Sequence, residues 1–430
     1  MQALHAALGI GLGTGLTGCL YWLLVVCGAG RLPVLLGVEL VMLGALGALV
    51  VRQRSTAPEG DTVTAPDFPY WLPGIGLAIM LGLFITAFIS VVELNPQGGW
   101  DAFAIWNLRA RFLLHTATWK FAVTPFPVGT HMEYPLLFSS VVARGWTYAG
   151  SPSSTMPIAT AFLFAVGLVL LLVSTLAPAR GASAALLAGV VLLACPAFMT
   201  QAPAEYADVP LAFFFLAALV LIVQGRTSRC LSLAGVFAGF AAWTKNEGAL
   251  LVVALAVALF VSVWRSAGWQ SAARQAGIFL LGALPGLLLV IWFKLALAPP
   301  DPLAGQMTVA LGQKLFNGGR WIKVAGGFLK QAWDIYLIPF ALLTLTCGLL
   351  RLRPRQERSY APLLAVLIVL AGYFAIFLVT KDDLDWLLAT ALERLYMHVW
   401  PALVLAVFLL LRHPEDFAMA STPAKAKKAR

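Results

Sequence analysis

The sequence predicts an all-α, polytopic transmembrane protein of about twelve spans, and three observations lead to that fold class. Of the 430 residues, 60% are hydrophobic and only 11% are charged, against about 25% charged in an average soluble domain. Apolar runs recur along the chain at lengths suited to crossing about 30 Å of hydrocarbon as helices. Basic residues collect between those runs, in every second interval. The net charge of +10 therefore reads as positive charge held in cytoplasmic loops, and not as a nucleic-acid-binding face.

The runs lie at 5–27, 33–50, 73–92, 157–177, 182–199, 209–224, 230–244, 249–264, 277–297, 335–350, 360–379 and 397–411. Several are short and need neighbours or tilt. They divide the chain into two N-terminal helices (1–54), a cytoplasmic linker (55–72), a main transmembrane core (73–297) that includes an external loop at 93–156, a second external loop (298–334), C-terminal helices (335–412) and a basic cytoplasmic tail (413–430). Arg52, Arg54, Arg180, Arg226, Arg229, Arg265, Arg274, Arg351, Arg353, Arg355 and Arg358 fall in alternate loops, and Arg412, Lys425, Lys427, Lys428 and Arg430 in the tail. By the positive-inside rule both ends are cytoplasmic. The first run lacks the basic n-region of a signal peptide and is followed by a second span, so it reads as an anchor. Cys19, Cys27, Cys195, Cys230 and Cys347 lie in or beside apolar runs without CxxC spacing, and read as small core residues.

This orientation places the unusual residues on the outer face. Gly98, Gly99, Trp100 and Asp101 open the first external loop, and Asp101 to Leu114 reads as an interfacial helix. Phe103, Ile105, Trp106 and Phe112 would give it apolar surface, and Arg109 and Arg111 charge. A second apolar helix, beginning at Glu133 and running to about Tyr148, is interrupted by Arg144 and reads as dipping into the membrane without crossing it.

Charge beside lipid is expensive enough that it usually has a function. Asp101 has two readings, a helix N-cap and a general base for an acceptor hydroxyl. Arg109 and Arg111 are either headgroup anchors or site cations, and are too close in sequence to share a helix face. Glu205 and Asp208 stand at a helix start, where one acid would suffice as a cap; either, with Asp101 or Glu133, is a candidate ligand for a divalent ion, although no dense ligand spacing supports it. Lys245 is a snorkelling lysine in the turn Thr244 to Gly248 or a partner for a lipid-linked phosphate. Arg394 is a second phosphate candidate. Trp100, Trp106, Asn107, Tyr206, Asn246, Glu247 and His398 flank these groups and are candidate substrate contacts. Lys381, Asp382, Asp383 and Asp385 read as a solvated loop, and His115 and His131 as ordinary loop histidines.

Taken in order, an acid opening the first external loop (Asp101), a Glu-x-Pro before an apolar helix (Glu133-Tyr134-Pro135), an acid opening a later span (Asp208) and a Thr-Lys pair closing another (Thr244-Lys245) resemble the GT-C membrane glycosyltransferases. The nearest branches are the lipid A aminoarabinose transferases, the protein O-mannosyltransferases and rhizobial lipopolysaccharide transferases. The resemblance covers about 73–265 and rests on order, since no single motif is specific. It implies a GT-C-like fold with interfacial helices in the first external loop, and inverting transfer of a sugar from a polyprenyl-phosphate carrier to a lipid, glycan or protein acceptor at the periplasmic face of a bacterial inner membrane. It implies roles for Asp101 as base or acceptor-positioning group, for Asp208, Glu205 and Glu133 in orienting acceptor or sugar, and for Lys245, Arg109, Arg111 and Arg394 in handling phosphate. Membrane lipids are implied partners and nucleic acid is not; the one cofactor left open is a divalent metal ion. The chain departs from the pattern at Tyr134, where the aminoarabinose enzymes have lysine, and at Glu205, where a basic residue is common. Two other classes stay open: a secondary transporter or lipid flippase, which predicts mid-membrane charges and repeat symmetry, and a lipid-glycan ligase or polymerase of another fold.

Overall fold

A computed structural model describes residues 2–53, 70–125, 130–225, 227–300, 311–347 and 359–410. The expected linker up to residue 69, the tail at 413–430, and Arg54, Arg226, Arg351, Arg353, Arg355, Arg358 and Arg412 lie outside the described residues. Regular secondary structure among the described residues is all helical: α1 Gln2–Val26, α2 Leu32–Gln53, α3 Trp71–Leu94, a π-helical segment Ala102–Asn107 running into α4 Leu108–Leu113, a 3-10 turn Trp119–Val123, then α5 Leu137–Ala149, α6 Thr155–Arg180, α7 Ala182–Leu193, α8 Pro196–Gln201, α9 Asp208–Gln224, α10 Ser228–Thr244, α11 Glu247–Ala296, α12 Leu311–Leu315, α13 Gly318–Cys347, α14 Ala361–Val379, α15 Leu384–Thr390 and α16 Leu392–Leu410.

Among the described residues six helices are long and apolar enough to cross a membrane, namely α1, α3, α6, α11, α14 and α16, and shorter apolar helices include α7 and α9. The chain is a multi-pass membrane protein. Length and composition alone do not reach a count of twelve, for physical reasons visible in three places. The 265–276 interval, expected as a loop, is reduced to a kink: α11 consists of two helices that meet at Gly268, whose φ of 81° suits a residue without Cβ, so the runs expected at 249–264 and 277–297 lie on either side of one tight break. The run at 182–199 is divided at Ala194 and Cys195, before Pro196 opens α8. The second external loop expected over 298–334 is helical from Gly318 onward.

At the centre lies α9, whose side chains from Asp208 to Ile222 are all buried. It packs against α6, α10 and α16. Phe164, Phe213, Phe214, Phe237 and Phe240 form a ring cluster there, mostly edge-to-face, with centroid separations from 5.4 to 6.4 Å. By contrast α2 exposes Leu40, Val41 and Leu43, as a helix facing lipid does. It is tied to α5 by Glu39, whose carboxylate accepts two bonds of 2.6 Å from Arg144 and one of 2.7 Å from the Tyr148 hydroxyl.

A close helix contact joins α10 to the second half of α11. Gly235 and Gly239 on α10 face Gly282 and Gly286 on α11, two Gly-x-x-x-Gly pairs that let the backbones meet. A methyl on Gly235 would fall on the Phe279 carbonyl oxygen, and one on Gly282 on that of Ser232.

Candidate active site

Six charged or titratable side chains from five segments meet at one end of the bundle. Asp101 precedes the π-helical segment, Asp208 starts α9, Lys245 follows α10, Glu247 starts α11, and Arg394 and His398 lie one turn apart near the start of α16. Asp208 is the hub and is fully buried. Its Oδ1 accepts from Lys245 Nζ at 3.0 Å and from His398 Nε2 at 2.6 Å, and its Oδ2 accepts from Arg394 at 3.0 Å. Because Asp208 is an acceptor, His398 presents its proton on Nε2, which leaves Nδ1 to accept from the Tyr373 hydroxyl at 3.0 Å. Lys245 also pairs with Glu247 at 3.0 Å. Arg394 reaches outward through its second terminal nitrogen to Asp101 Oδ2 at 2.6 Å.

Exposure falls steeply across this chain of contacts. Asp101 and Arg394 keep 20% and 19% of their side chains accessible, whereas Lys245 keeps 3% and Asp208 and His398 none. The open mouth is therefore lined by the Asp101–Arg394 pair and, beyond Lys245, by Glu247, which keeps 17%. Two buried atoms at the site, Arg394 Nε and Glu247 Oε2, have no hydrogen-bond partner, which in a native interior asks for an explanation such as a polar ligand. Arg394 also lies over the Tyr206 ring at 4.8 Å, and Lys245 over the Tyr134 ring at 5.7 Å.

The turn that opens this mouth is built by glycine. Gly98 has φ 74° and packs on the Ala204 carbonyl, and Gly99 lies so close to the Tyr206 hydroxyl that a Cβ there would collide with it. The Gly99 amide donates to the Ala204 carbonyl at 3.0 Å. Asp101 does not cap the following helix: its own backbone is helical and its side chain makes no cap bond. The N-cap reading thus gives way to an ion pair.

Several residues named from the sequence stand elsewhere or do other work. Arg109 is fully buried and donates to the backbone carbonyls of Ala122 at 2.9 Å and Met132 at 3.2 Å. Burial pushes its guanidinium down to about 9. It is a strut for the loop, and the carboxylate its charge acts on is Glu133. Arg111 lies on the surface beside Gln97 and 5.9 Å from the Trp146 ring. Trp100 is 70% exposed, and of the four apolar residues expected to cover the interfacial helix, Ile105 and Trp106 turn inward instead. Asn107 is buried and donates to Glu205 Oε2 at 3.1 Å. Asn246 lies in the turn between α10 and α11. Among the described residues no group of three or more His, Cys, Asp or Glu side chains is arranged to hold a metal ion. Since Asp101 and Asp208 are already matched by Arg394 and Lys245, the donor set does not fit a divalent cation and no step is routed through one.

Glu205 has φ 61° and no exposed surface. Burial, only partly offset by the Asn107 amide, raises its carboxyl from the ordinary 4.5 to about 7. Since the folded state holds this proton more tightly than the unfolded one, stability is expected to decline as pH rises from about 4.5 to about 7 and to level off above. The decline is roughly 1.4 kcal/mol for each pH unit between those two values. Glu205→Gln, a neutral isostere, is expected to flatten that stretch of a Tm-against-pH curve and to raise Tm at about pH 8, above the window in which the carboxyl titrates. An unchanged curve would show that Glu205 does not titrate there.

Two contributors lack a clear sequence signal. Tyr373 lies in an uninterrupted apolar run, where a tyrosine is commonplace. Tyr134 is stacked between Trp106 and His131, with centroid separations of 5.6 and 4.9 Å and interplanar angles of 10°.

Residues 128–298 match the family model described as dolichyl-phosphate-mannose-protein mannosyltransferase. The matched segment holds Glu133, Glu205, Asp208, Lys245 and Glu247, and overlaps the region that resembles the GT-C glycosyltransferases in sequence. Among solved structures, ArnT from Cupriavidus metallidurans bound to undecaprenyl phosphate is 18% identical, with a TM-score of 0.49 over 77% of this chain and 59% of that one. The apo form of the same ArnT gives 18% identity and a TM-score of 0.48, covering 77% of this chain and 58% of that one. The chain thus spans less than two thirds of the length of these ArnT chains. No curated protein matches it in sequence.

Proposed function

We propose that the protein is a membrane glycosyltransferase that moves a sugar from a polyprenyl-phosphate carrier to a hydroxyl of an envelope lipid, glycan or protein, with inversion, at the periplasmic face of a bacterial inner membrane. The observation that carries the reading is the overlap between the mannosyltransferase family match at 128–298 and the buried network centred on Asp208. Orientation rests on the alternation of basic loops.

In this reading Asp101 is the base. The acceptor hydroxyl gives its proton to Asp101 as its oxygen bonds to C1 of the sugar. The bond from C1 to the phosphate oxygen breaks, and the polyprenyl phosphate leaves with that electron pair. Arg394 meets the charge that develops on the leaving phosphate, through Nε or through the nitrogen now on Asp101, as a fixed cation placed where charge builds. Phosphate binding there would loosen the 2.6 Å pair and free Asp101 to accept a proton. Lys245, His398 and Tyr373 hold Asp208 and so fix Arg394, and Glu247 Oε2 is an acceptor for a sugar hydroxyl. Lys245 is thereby a positioning residue, committed to two carboxylates.

The test is a single-turnover assay in lipid with radiolabelled polyprenyl-phosphate sugars and an envelope extract as acceptor. Label moving from carrier to extract is the expected result. Folded protein that releases no label from any carrier, yet carries substrate across a vesicle wall, would replace this reading with transport.

A further inference from the structure

The turn from Thr130 to Pro135 is held more firmly than a connecting loop requires. Arg109, fully buried, donates to the Met132 carbonyl at 3.2 Å. Lys294 reaches across from α11 to the Glu133 carbonyl at 2.7 Å. Tyr134 is clamped in the three-ring stack with Trp106 and His131. His131 itself has φ 43°, a left-handed conformation that a non-glycine residue keeps only when its surroundings impose it.

What this scaffold presents is an imidazole. His131 Nδ1 lies 2.8 Å from Glu133 Oε1, and the histidine side chain is 43% exposed while the glutamate is 9% exposed. Nε2 has no partner among the described residues. The buried carboxylate of Glu133 holds the ring protonated more readily than an ordinary histidine, against partial burial and the repulsion of Lys245, with Asp101 adding a smaller attraction. Lys245, Asp101 and Glu133 are the charges that face it. Of the nearby cations, Lys245 is committed to two carboxylates, Arg109 and Lys294 to backbone carbonyls and Arg111 to Gln97, so that beside Arg394, with its unpartnered Nε, the imidazole is the further donor at hand for a phosphate.

We infer that His131, held by Glu133, is a phosphate-binding residue of this site and donates from Nε2 to a phosphate oxygen of the polyprenyl carrier. The inference rests on the glycosyltransferase reading and deepens it, by assigning the carrier's phosphate to a histidine that nothing in the spacing of the sequence distinguishes. Glu133 is then a positioning residue. No proton changes owner: the Nε2 hydrogen is shared with phosphate oxygen as the C1–O bond breaks, and it stays on the ring when the carrier leaves.

The experiment measures binding of undecaprenyl phosphate, with undecaprenol as the phosphate-free control, to wild-type protein and to His131→Gln, His131→Lys and Glu133→Gln in lipid nanodiscs, across about two pH units on either side of the ordinary histidine value. A charge-assisted hydrogen bond to phosphate predicts that His131→Gln weakens undecaprenyl phosphate binding about tenfold and leaves undecaprenol unchanged. The ligand's own second phosphate ionisation, at about 6, is common to every variant, so the readout is affinity relative to His131→Gln: the wild-type advantage should fall as pH rises through the titration of the ring, and His131→Lys should restore tight binding with an advantage that does not fall there. Glu133→Gln should shift the wild-type profile to lower pH. Equal affinity and equal pH dependence in wild type and His131→Gln would overturn the inference and leave the glycosyltransferase reading standing. Absence of undecaprenyl phosphate binding to the wild type would overturn both.

Discussion

Asp101→Asn is expected to lower transfer in single turnover by about 10²- to 10⁴-fold, the range that a positioned general base contributes, while the protein remains folded. The carboxylate is the partly exposed end of the network. Asparagine keeps its shape and an oxygen to accept from Arg394, but it cannot take the acceptor's proton. Carrier binding is expected to hold or tighten, because Arg394 gives up an ionic partner at 2.6 Å and gains freedom toward phosphate. A variant that turns over at the wild-type rate would remove Asp101 as the base. Lost turnover together with lost carrier binding would show that the pair shapes the site instead.

Asp208→Ala is expected to have the largest effect on stability. The carboxylate is fully buried and is shared by Lys245, His398 and Arg394. Removing one member of a buried ionic group costs about 3–5 kcal/mol, because the charges left behind are neither paired nor hydrated. Lys245 would retain Glu247, and Arg394 would retain Asp101, so the loss falls short of three separate pairs. Thermal and denaturant unfolding in detergent should show the loss, and transfer activity should vanish with it, since Arg394 would be held by Asp101 alone, the group it has to release for the reaction. A variant as stable as wild type would mean that α9 starts without help from these charges. Asp208→Asn, which keeps an acceptor oxygen, is expected to lie between the two.

Much of this site is legible in the sequence because charge is conspicuous in an apolar chain. Asp208, Lys245 and Arg394 each stand beside a span, where burial without a partner is costly. That reasoning identifies positions but not partnerships: Lys245 reads as free to hold phosphate, whereas the fold commits it to two carboxylates. Arg109 and Arg111, two residues apart, are indistinguishable in sequence, yet one is a fully buried strut and the other lies on the surface. His131 reads as an ordinary loop histidine because such a residue has no pattern, and the meaning of the His-x-Glu spacing depends on a backbone turn that pattern does not encode. The fold class follows from composition and periodicity. The number of crossings does not, because the two helices of α11 are separated by no more than a kink at Gly268 and the polar start of α13 masks a helix within an expected loop. The glycine pairs of α10 and α11 are missed for a related reason: each is a common spacing, and only their facing one another gives it meaning.

That glycine contact has a mechanical consequence for the chemistry. Lys245 caps the end of α10, and Lys294 lies near the end of the second half of α11, the two segments whose backbones touch at Gly235, Gly239, Gly282 and Gly286. Backbone against backbone leaves no side chain between the helices to change rotamer, so the two are joined like welded rods. Lys245 is bonded to Asp208, and Lys294 to the turn that bears His131. The anion hub and the histidine turn thus share one rigid frame, and any adjustment to a bulky lipid-linked sugar is left to the opposite wall, where Asp101 and Arg394 meet.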